Sequence, residues 1–222
     1  FRTSYIPFID YNHKLNGSRI LEIGGGTGCS TLALAEQGAD VQTIDLDPEA
    51  QEISKLRLTN CGCSATYHVL NATGIDKRFK KNEFDIVIYF AALEHMTYYE
   101  RLESLKKSWD ALKPGGLLFI LEAPNRLWFY DMHTSFLPFY FWLQDDIAID
   151  YGKFSERKLF NSAIEKKMDH TTFMRWGRGV SFHELELAIG RHPSLKKAVG
   201  LFDFQMKGKT LKHLLYRFNL DF

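Results

Sequence analysis

A strand–helix alternation beginning at Arg19 most constrains what this chain can fold into. RILEI (19–23) is a short apolar strand that runs into a turn holding four glycines, GGGTG (24–28). Residues 28–37 read as a helix ended by Gly38, and DVQTID (40–45) as a second strand. Pro48 suits the first turn of a helix running to about Thr59. SATYHVL (64–70) is a third strand, and FDIVIYF (84–90) a fourth. The fourth is apolar almost throughout, as expected of a strand covered on both faces. Residues 98–112 have helical periodicity, LKPGG (112–116) stops that helix, and residues 116–123 form a fifth strand. This order predicts a parallel, doubly wound sheet with right-handed crossovers. Residues 124–179 then contain no clear strand. The rhythm resumes at Ser181, where SFHE (181–184) is a capping box opening a helix over 182–190. Residues 198–205 and 213–220 alternate like two paired strands.

The expected fold is therefore α/β: a mostly parallel, seven-stranded sheet with a cap inserted after strand five. Residues 1–123 supply an N-terminal segment and half of the sheet. Residues 124–179 form the cap, and residues 180–222 the final helix and two closing strands. An insertion of that length exceeds ordinary connections, and such segments are usually functional.

Composition narrows the partners. The 222 residues are 45% hydrophobic and 25% charged, with a net charge of +1, so no bulk field favours nucleic acid or an anionic membrane. The cysteines are Cys29, Cys61 and Cys63, an odd and sparse set that fits a reducing compartment. Cys61-Gly62-Cys63 is too close for the usual zinc pair, and there is no second pair. The start lacks the segments of a secretory signal. The longest nearly apolar run, FLPFYFWL (136–143), is far short of the ~20 residues that span a bilayer. A cytoplasmic location without stable membrane insertion follows as the expectation. The first residue is Phe1 and not Met, so a preceding segment is expected to be missing from this sequence.

The glycine spacing discriminates among ligands. A phosphate loop of the GxxxxGK[ST] type requires a lysine that is absent here. A dinucleotide fingerprint, GxGxxG, has Gly24 and Gly26 in place but Cys29 where its third glycine belongs. The spacing present is ExGxGxG: Glu22, Gly24, Gly26 and Gly28, all four expected to be cofactor-binding. Strand two ends in Asp45, whose carboxylate can accept from two vicinal ribose hydroxyls. Sites for NAD share that feature, so it does not decide alone. After strand three, Asn71 offers a side-chain oxygen to an adenine amino group.

ILEIGGGTG, VQTIDLDP, VLNAT, FDIVIYFAALEHM and LKPGGLLFI, in that order, resemble the motif series of class I S-adenosylmethionine-dependent methyltransferases. The match is to the small-molecule branch labelled methyltransferase type 11 or 12, and it covers residues 19–123. The resemblance implies that S-adenosylmethionine is the cofactor and S-adenosylhomocysteine the product. It implies that Gly24, Gly26 and Gly28 line the methionine and ribose moieties, that Asp45 binds the ribose and that Leu46 packs on adenine. It further implies Asn71 and Ala72 at the adenine edge, and Phe90 at the mouth beside the sulfonium. The family usually has Asp where this chain has Asn71, so a modestly altered adenine contact is expected.

Methyl transfer is a direct displacement whose main demand is alignment, and a base is needed only where the acceptor must lose a proton. His133, in the insertion, and His95, just beyond strand four, are the candidate catalytic residues. A histidine satisfied by nearby backbone is the plainer alternative for His133, and for His95 the resemblance implies a site-lining role. Glu94 reads as a structural acceptor. Asp131 either orients His133 or serves a turn, and His183 reads as a helix residue facing the cap. The spacing of Glu94, His95, Asp131 and His133 is not diagnostic of a metal site, and no metal is expected.

Eight aromatics fall within residues 127–143, a density that suggests an apolar acceptor pocket using Trp128, Tyr130 and Phe136 together with Asp131. A core private to the insertion, or a peripheral membrane contact, would use the same residues. Residues 153–178 carry seven basic and three acidic side chains, either a solvated face or a site for an acceptor's phosphate or carboxylate. Base methylation in nucleic acid is not expected, because the Asn/Asp-Pro-Pro-aromatic turn of such enzymes is replaced by AALEH. The expected activity is thus methylation of a hydroxyl on a small, partly apolar acceptor. The alternatives are an NAD(P)-dependent oxidoreductase and a nucleoside-binding protein without catalysis. Oligomeric state is not legible.

Overall fold

The computed structural model describes residues 1–166, 168–190 and 200. Among them lie five strands: β1 (Arg19–Ile23), β2 (Asp40–Asp45), β3 (Thr66–Val69), β4 (Phe84–Phe90) and β5 (Leu112–Leu121). They form one sheet in the order β3-β2-β1-β4-β5, with every neighbouring pair parallel. The order reverses at β1, which places a crevice beyond the carboxyl ends of β1 and β4. The two strands expected at 198–205 and 213–220 lie outside the described residues, so the described sheet is five-stranded.

Helix α1 (Tyr5–Asn12) precedes the sheet, α2 (Cys29–Ala35) and α3 (Pro48–Asn60) flank β2, and the short α4 (Ile75–Arg78) follows β3. Helix α5 (Tyr98–Ala111) joins β4 to β5. Alternation along the strands explains the layers. Leu21, Val87 and Tyr89 pack on one face with Ile75, Leu105 and Leu185. Ile20, Ile86 and Ile88 pack on the other with Ile9, Ala33 and Leu34. Opposite faces of a pleated strand thus feed two cores, which is why β4 is apolar throughout.

Local chemistry sets the helix starts. Asp47 accepts from the amides of Glu49 and Ala50 and Pro48 opens α3; Thr97 and Glu100 form a reciprocal capping box on α5. LKPGG ends α5 as expected, but it belongs to β5, which therefore starts at Leu112 and not at residue 116. Gly115, at φ +84°, supports that extension, beside a register shift against β4 between Phe84 and Ile86.

The insertion holds α6 (Asp145–Gly152), α7 (Lys158–Glu165) and α8 (His170–Arg175), and among its described residues there is no strand. It owns a core in which Tyr140 and Phe141 pack with Phe160, Ile164 and Phe173. Helix α9 (Phe182–Ile189) then starts with the expected capping box, Ser181 and Glu184.

Candidate active site

The turn after β1 is shaped by its glycines. Gly24 has φ +79°, and a Cβ there would come within 2.8 Å of the Ala92 side chain beyond β4. Gly28, at φ +81°, lies against Ser54 of α3, leaving no room for a side chain. Gly26 differs: a Cβ on it would meet open space, so this backbone faces the crevice. The Gly26 amide donates to Asp45 Oδ2 at 2.7 Å, and the Asp47 amide to Oδ1 at 2.9 Å. Each carboxylate oxygen keeps a lone pair. Leu46, next along, is 57% exposed. An open glycine backbone, a carboxylate with spare acceptor capacity and an uncovered apolar side chain fit a purine nucleoside.

Two expectations for this crevice are revised. Glu22 does not line it. Its carboxylate is fully buried beneath the turn and accepts from Ser30 Oγ and Thr31 Oγ1 at 2.5 Å. Burial pushes that carboxyl above its ordinary value, against the hydroxyls of Ser30, Thr31 and Thr43. Glu22 therefore braces the turn from below. Asn71 is likewise occupied: its Oδ1 accepts from the amide and hydroxyl of Thr73, and its amide reaches Glu100 Oε1 at 3.3 Å. A carbonyl with both lone pairs used has none left for an adenine amino group. Ala72 behind it is buried. Phe90 is half-buried at the end of β4, edge-on to Phe1 and Tyr5, with centroids at 5.0 and 5.7 Å. The segment ahead of β1 thus covers this end of the sheet, and Tyr5 donates to Glu122.

Beyond β4, the chain makes a 3₁₀ turn over Leu93–His95. It brings Glu94 and His95 against His133 from the insertion. The imidazole centroids lie 5.2 Å apart. Glu94 Oε1 is 3.8 Å from His95 Nε2 and 3.9 Å from His133 Nε2. Burial, only partly offset by its own amide and by Arg101, pushes the Glu94 carboxyl up to about 7. Burial lowers both histidines below their ordinary value, against the Arg175 carbonyl that accepts from His95 and the Asp131 charge near His133; Arg101 adds to the lowering of His95, and His95 to that of His133. Both rings are therefore neutral at pH 7.

Arginines hold this cluster. The Arg101 guanidinium is fully buried and donates to the carbonyls of Leu93, Glu94, Met96, Arg178 and Gly179, and to Glu184. Arg175 donates to the His95 carbonyl and to Glu100, and Arg157 to the carbonyls of His133 and Thr134. A cavity of about 280 Å³ opens here, lined by His95, His133, Arg157, Thr172, Arg175 and Trp176. Arg101 and Trp176 escaped the sequence reading, whereas Arg157 and Arg175 belong to the basic stretch 153–178 that it offered to an acceptor's phosphate or carboxylate. One signal existed: Arg101 shares the helical face of the buried Leu105 and Ser108, where a charge must have partners.

Asp131 is not a substrate ligand. It is fully buried, and its oxygens accept from the amides of His133, Thr134 and Ser135 and from the Ser135 hydroxyl. It shapes the turn that carries His133. The aromatics divide. Tyr140 and Phe141 are buried in the insertion's core, whereas Trp128, Tyr130 and Phe136 are 48%, 37% and 46% exposed. Arg157 lies over the Phe136 ring. His183 is exposed on α9 and pairs with Glu186.

Glu100 links the end of β3, the α5 cap and the insertion. Burial opposes its charge, but Arg175, Thr97 and Asn71 prevail and hold it down to about 2. A depressed carboxylate stabilises the fold above its unfolded value near 4.3 and loses that contribution as pH falls toward 2. Glu100→Gln should therefore lower stability by about 1–3 kcal/mol at pH 7, with the gap to wild type closing below about pH 4. Urea titrations across that range measure it; a pH-independent gap would exclude the ionic contribution.

Residues 20–116 match the family described as Methyltransferase domain, in keeping with the class I S-adenosylmethionine-dependent methyltransferases that the motif series resembles. The matched stretch takes in the β1 turn and Asp45. Among curated proteins, the chain is 32% identical over 114 residues to the ubiquinone biosynthesis O-methyltransferase of Aromatoleum aromaticum, covering 51% of this chain and 47% of that protein. It is 30% identical over 121 residues to the protein of the same name from Xanthomonas euvesicatoria, covering 54% and 49%. The chain thus spans about half the length of the curated relatives it matches. The crystal structure of the YcgJ protein from Bacillus subtilis shares the fold, with a TM-score of 0.50 at 19% identity over 56% of this chain and 52% of that one. Among the described residues, no helix is long and apolar enough to cross a membrane.

Proposed function

We propose that this chain transfers a methyl group from S-adenosylmethionine to a hydroxyl oxygen of a small, partly apolar acceptor held beside His95 and His133. The observation that carries the reading is the cavity of about 280 Å³ whose wall presents two neutral imidazoles next to the loop that abuts Gly24. The cofactor supplies a methyl carbon bonded to a sulfonium, open to direct displacement. Asp45 grips the ribose, Leu46 covers the purine and the Gly26 backbone lets the ligand approach. His133 accepts the hydroxyl proton through Nε2, and His95 orients the acceptor. Trp128, Tyr130 and Phe136 meet the apolar part of the acceptor, and Arg157 and Arg175 any carboxylate or phosphate it carries. The relatives named as O-methyltransferases support oxygen as the acceptor atom. A small-molecule acceptor of this kind, with no nucleic-acid partner, suits a reducing cytoplasmic setting.

Calorimetric titration with S-adenosylhomocysteine and with NADH tests the cofactor. The nucleoside thioether should bind, and Asp45→Ala should weaken it by about 1–3 kcal/mol through unpaired ribose hydroxyls. Tight NADH binding without thioether binding would overturn the reading. Mass spectrometry of phenolic and aliphatic hydroxyl acceptors tests the transfer; acceptors that never gain a methyl, despite thioether binding, would favour a binding protein without catalysis.

A further inference from the structure

The polar atoms facing one another at Glu94, His95 and His133 are all acceptors. His95 Nδ1 lies 2.8 Å from the Arg175 carbonyl, so it donates there and leaves Nε2 with a lone pair. His133 Nδ1 lies 3.0 Å from Thr134 Oγ1, whose own proton is directed at the carbonyls of Trp176 and Gly177. His133 therefore also donates through Nδ1 and turns a bare Nε2 inward. Between the two Nε2 atoms sits the Glu94 carboxylate. It is completely buried, and among the described residues neither oxygen takes a hydrogen bond from another residue. Separations of 3.8 and 3.9 Å are too long for a direct hydrogen bond, so a proton on Glu94 does not resolve the arrangement.

We propose that Glu94, His95 and His133 form a binding site for a divalent transition-metal ion, with one carboxylate oxygen and the two Nε2 atoms as its protein ligands. The three donor atoms all lie within 4.8 Å of one another. Ligands at about 2.0–2.2 Å from a tetrahedral ion stand about 3.3 Å apart, so each imidazole need close on the carboxylate by only about half an ångström, and the two imidazoles on each other by at most about 1.5 Å. The outer shell is in place: each imidazole gives its remaining N–H to a fixed oxygen, which sets tautomer and ring orientation. Two imidazoles and one carboxylate suit Zn²⁺, Co²⁺ or Fe²⁺ and are poor ligands for Mg²⁺ or Ca²⁺. The neighbouring positive charge is partly committed elsewhere, since Arg175 pairs with Glu100 at 2.7 Å and Arg101 with Glu184 at 3.3 Å. The ion's remaining positions face the cavity beside His95 and His133. There it would bind an acceptor oxygen and favour loss of its proton, in place of an imidazole base. That last role rests on the methyl-transfer reading; the ion site does not.

The test is calorimetric titration of chelator-treated protein with ZnCl₂ and MgCl₂, together with the visible spectrum of the Co²⁺-loaded protein. One equivalent of Zn²⁺ should bind, with affinity about 100-fold or more above that for Mg²⁺. Co²⁺ should give d–d bands that are lost in His133→Ala and in Glu94→Gln, and both variants should bind Zn²⁺ about 100-fold more weakly. S-adenosylhomocysteine affinity, measured on the same samples, reports that the variants remain folded. Absence of stoichiometric Zn²⁺ binding, or Zn²⁺ binding equal in wild type and both folded variants, overturns the proposal while leaving methyl transfer with an imidazole base intact. Zn²⁺ binding in a protein that binds no S-adenosylhomocysteine would sustain the ion site and sink the methyltransferase reading.

Discussion

Methionine in place of Arg101 is expected to destabilise the fold by about 3–5 kcal/mol, read as a lower urea midpoint at unchanged slope. Methionine has similar volume and keeps the apolar contacts, so the change isolates the guanidinium. That group is fully buried, and it joins three separate stretches of chain. It donates to the carbonyls of Leu93, Glu94 and Met96 after β4, to those of Arg178 and Gly179 at the end of the insertion, and to Glu184 in α9. Without it, the carbonyls lose its hydrogen bonds, although those of Leu93 and Glu94 keep the amides of Met96 and Arg178, and the Glu184 carboxylate, 11% exposed, is left without its partner cation. The 3₁₀ turn over Leu93–His95 is fastened by this side chain together with Arg175 and the Arg178 amide. Turnover should therefore fall in the same variant even at temperatures where it is fully folded. A stability loss under about 1 kcal/mol would show that water or rearranged backbone replaces the guanidinium.

His133→Ala is expected to lower turnover by ~10²–10⁴ while S-adenosylhomocysteine affinity stays unchanged. His133 is rooted in the insertion, away from the β1 turn. Its removal leaves Gly26, Asp45 and Leu46 as they are. The loss falls on the acceptor's proton, whether an imidazole or an ion held by it is responsible. Single-turnover measurements with saturating cofactor make the comparison, and near-normal rates would reduce His133 to a packing residue of the turn shaped by Asp131.

The two expected effects mark different depths of legibility. The cradle was readable because it is local. The glycine spacing, the end of β2 at Asp45, the start of α3 at Pro48 and the capping box at Ser181 are encoded in consecutive residues and in backbone needs that few side chains meet. Glu22 and Asn71 were misassigned for one reason. A polar side chain beside a ligand turn can serve the ligand or the turn, and the choice depends on partners elsewhere. Ser30 and Thr31 claim Glu22, and Glu100, on another helix, claims Asn71 together with Thr73. Asp131 was left between two roles, and the three amides that follow it decided for the turn.

By itself, then, the sequence determined the parallel sheet, the turn that opens α2 and the carboxylate that waits at the end of β2, since periodicity and spacing act over a few residues. Only the tertiary structure decided that His133 meets Glu94 and His95. That meeting depends on how the insertion folds back through Arg178 and Gly179 onto Arg101, and burial of a guanidinium among distant carbonyls leaves no mark in any short stretch of chain.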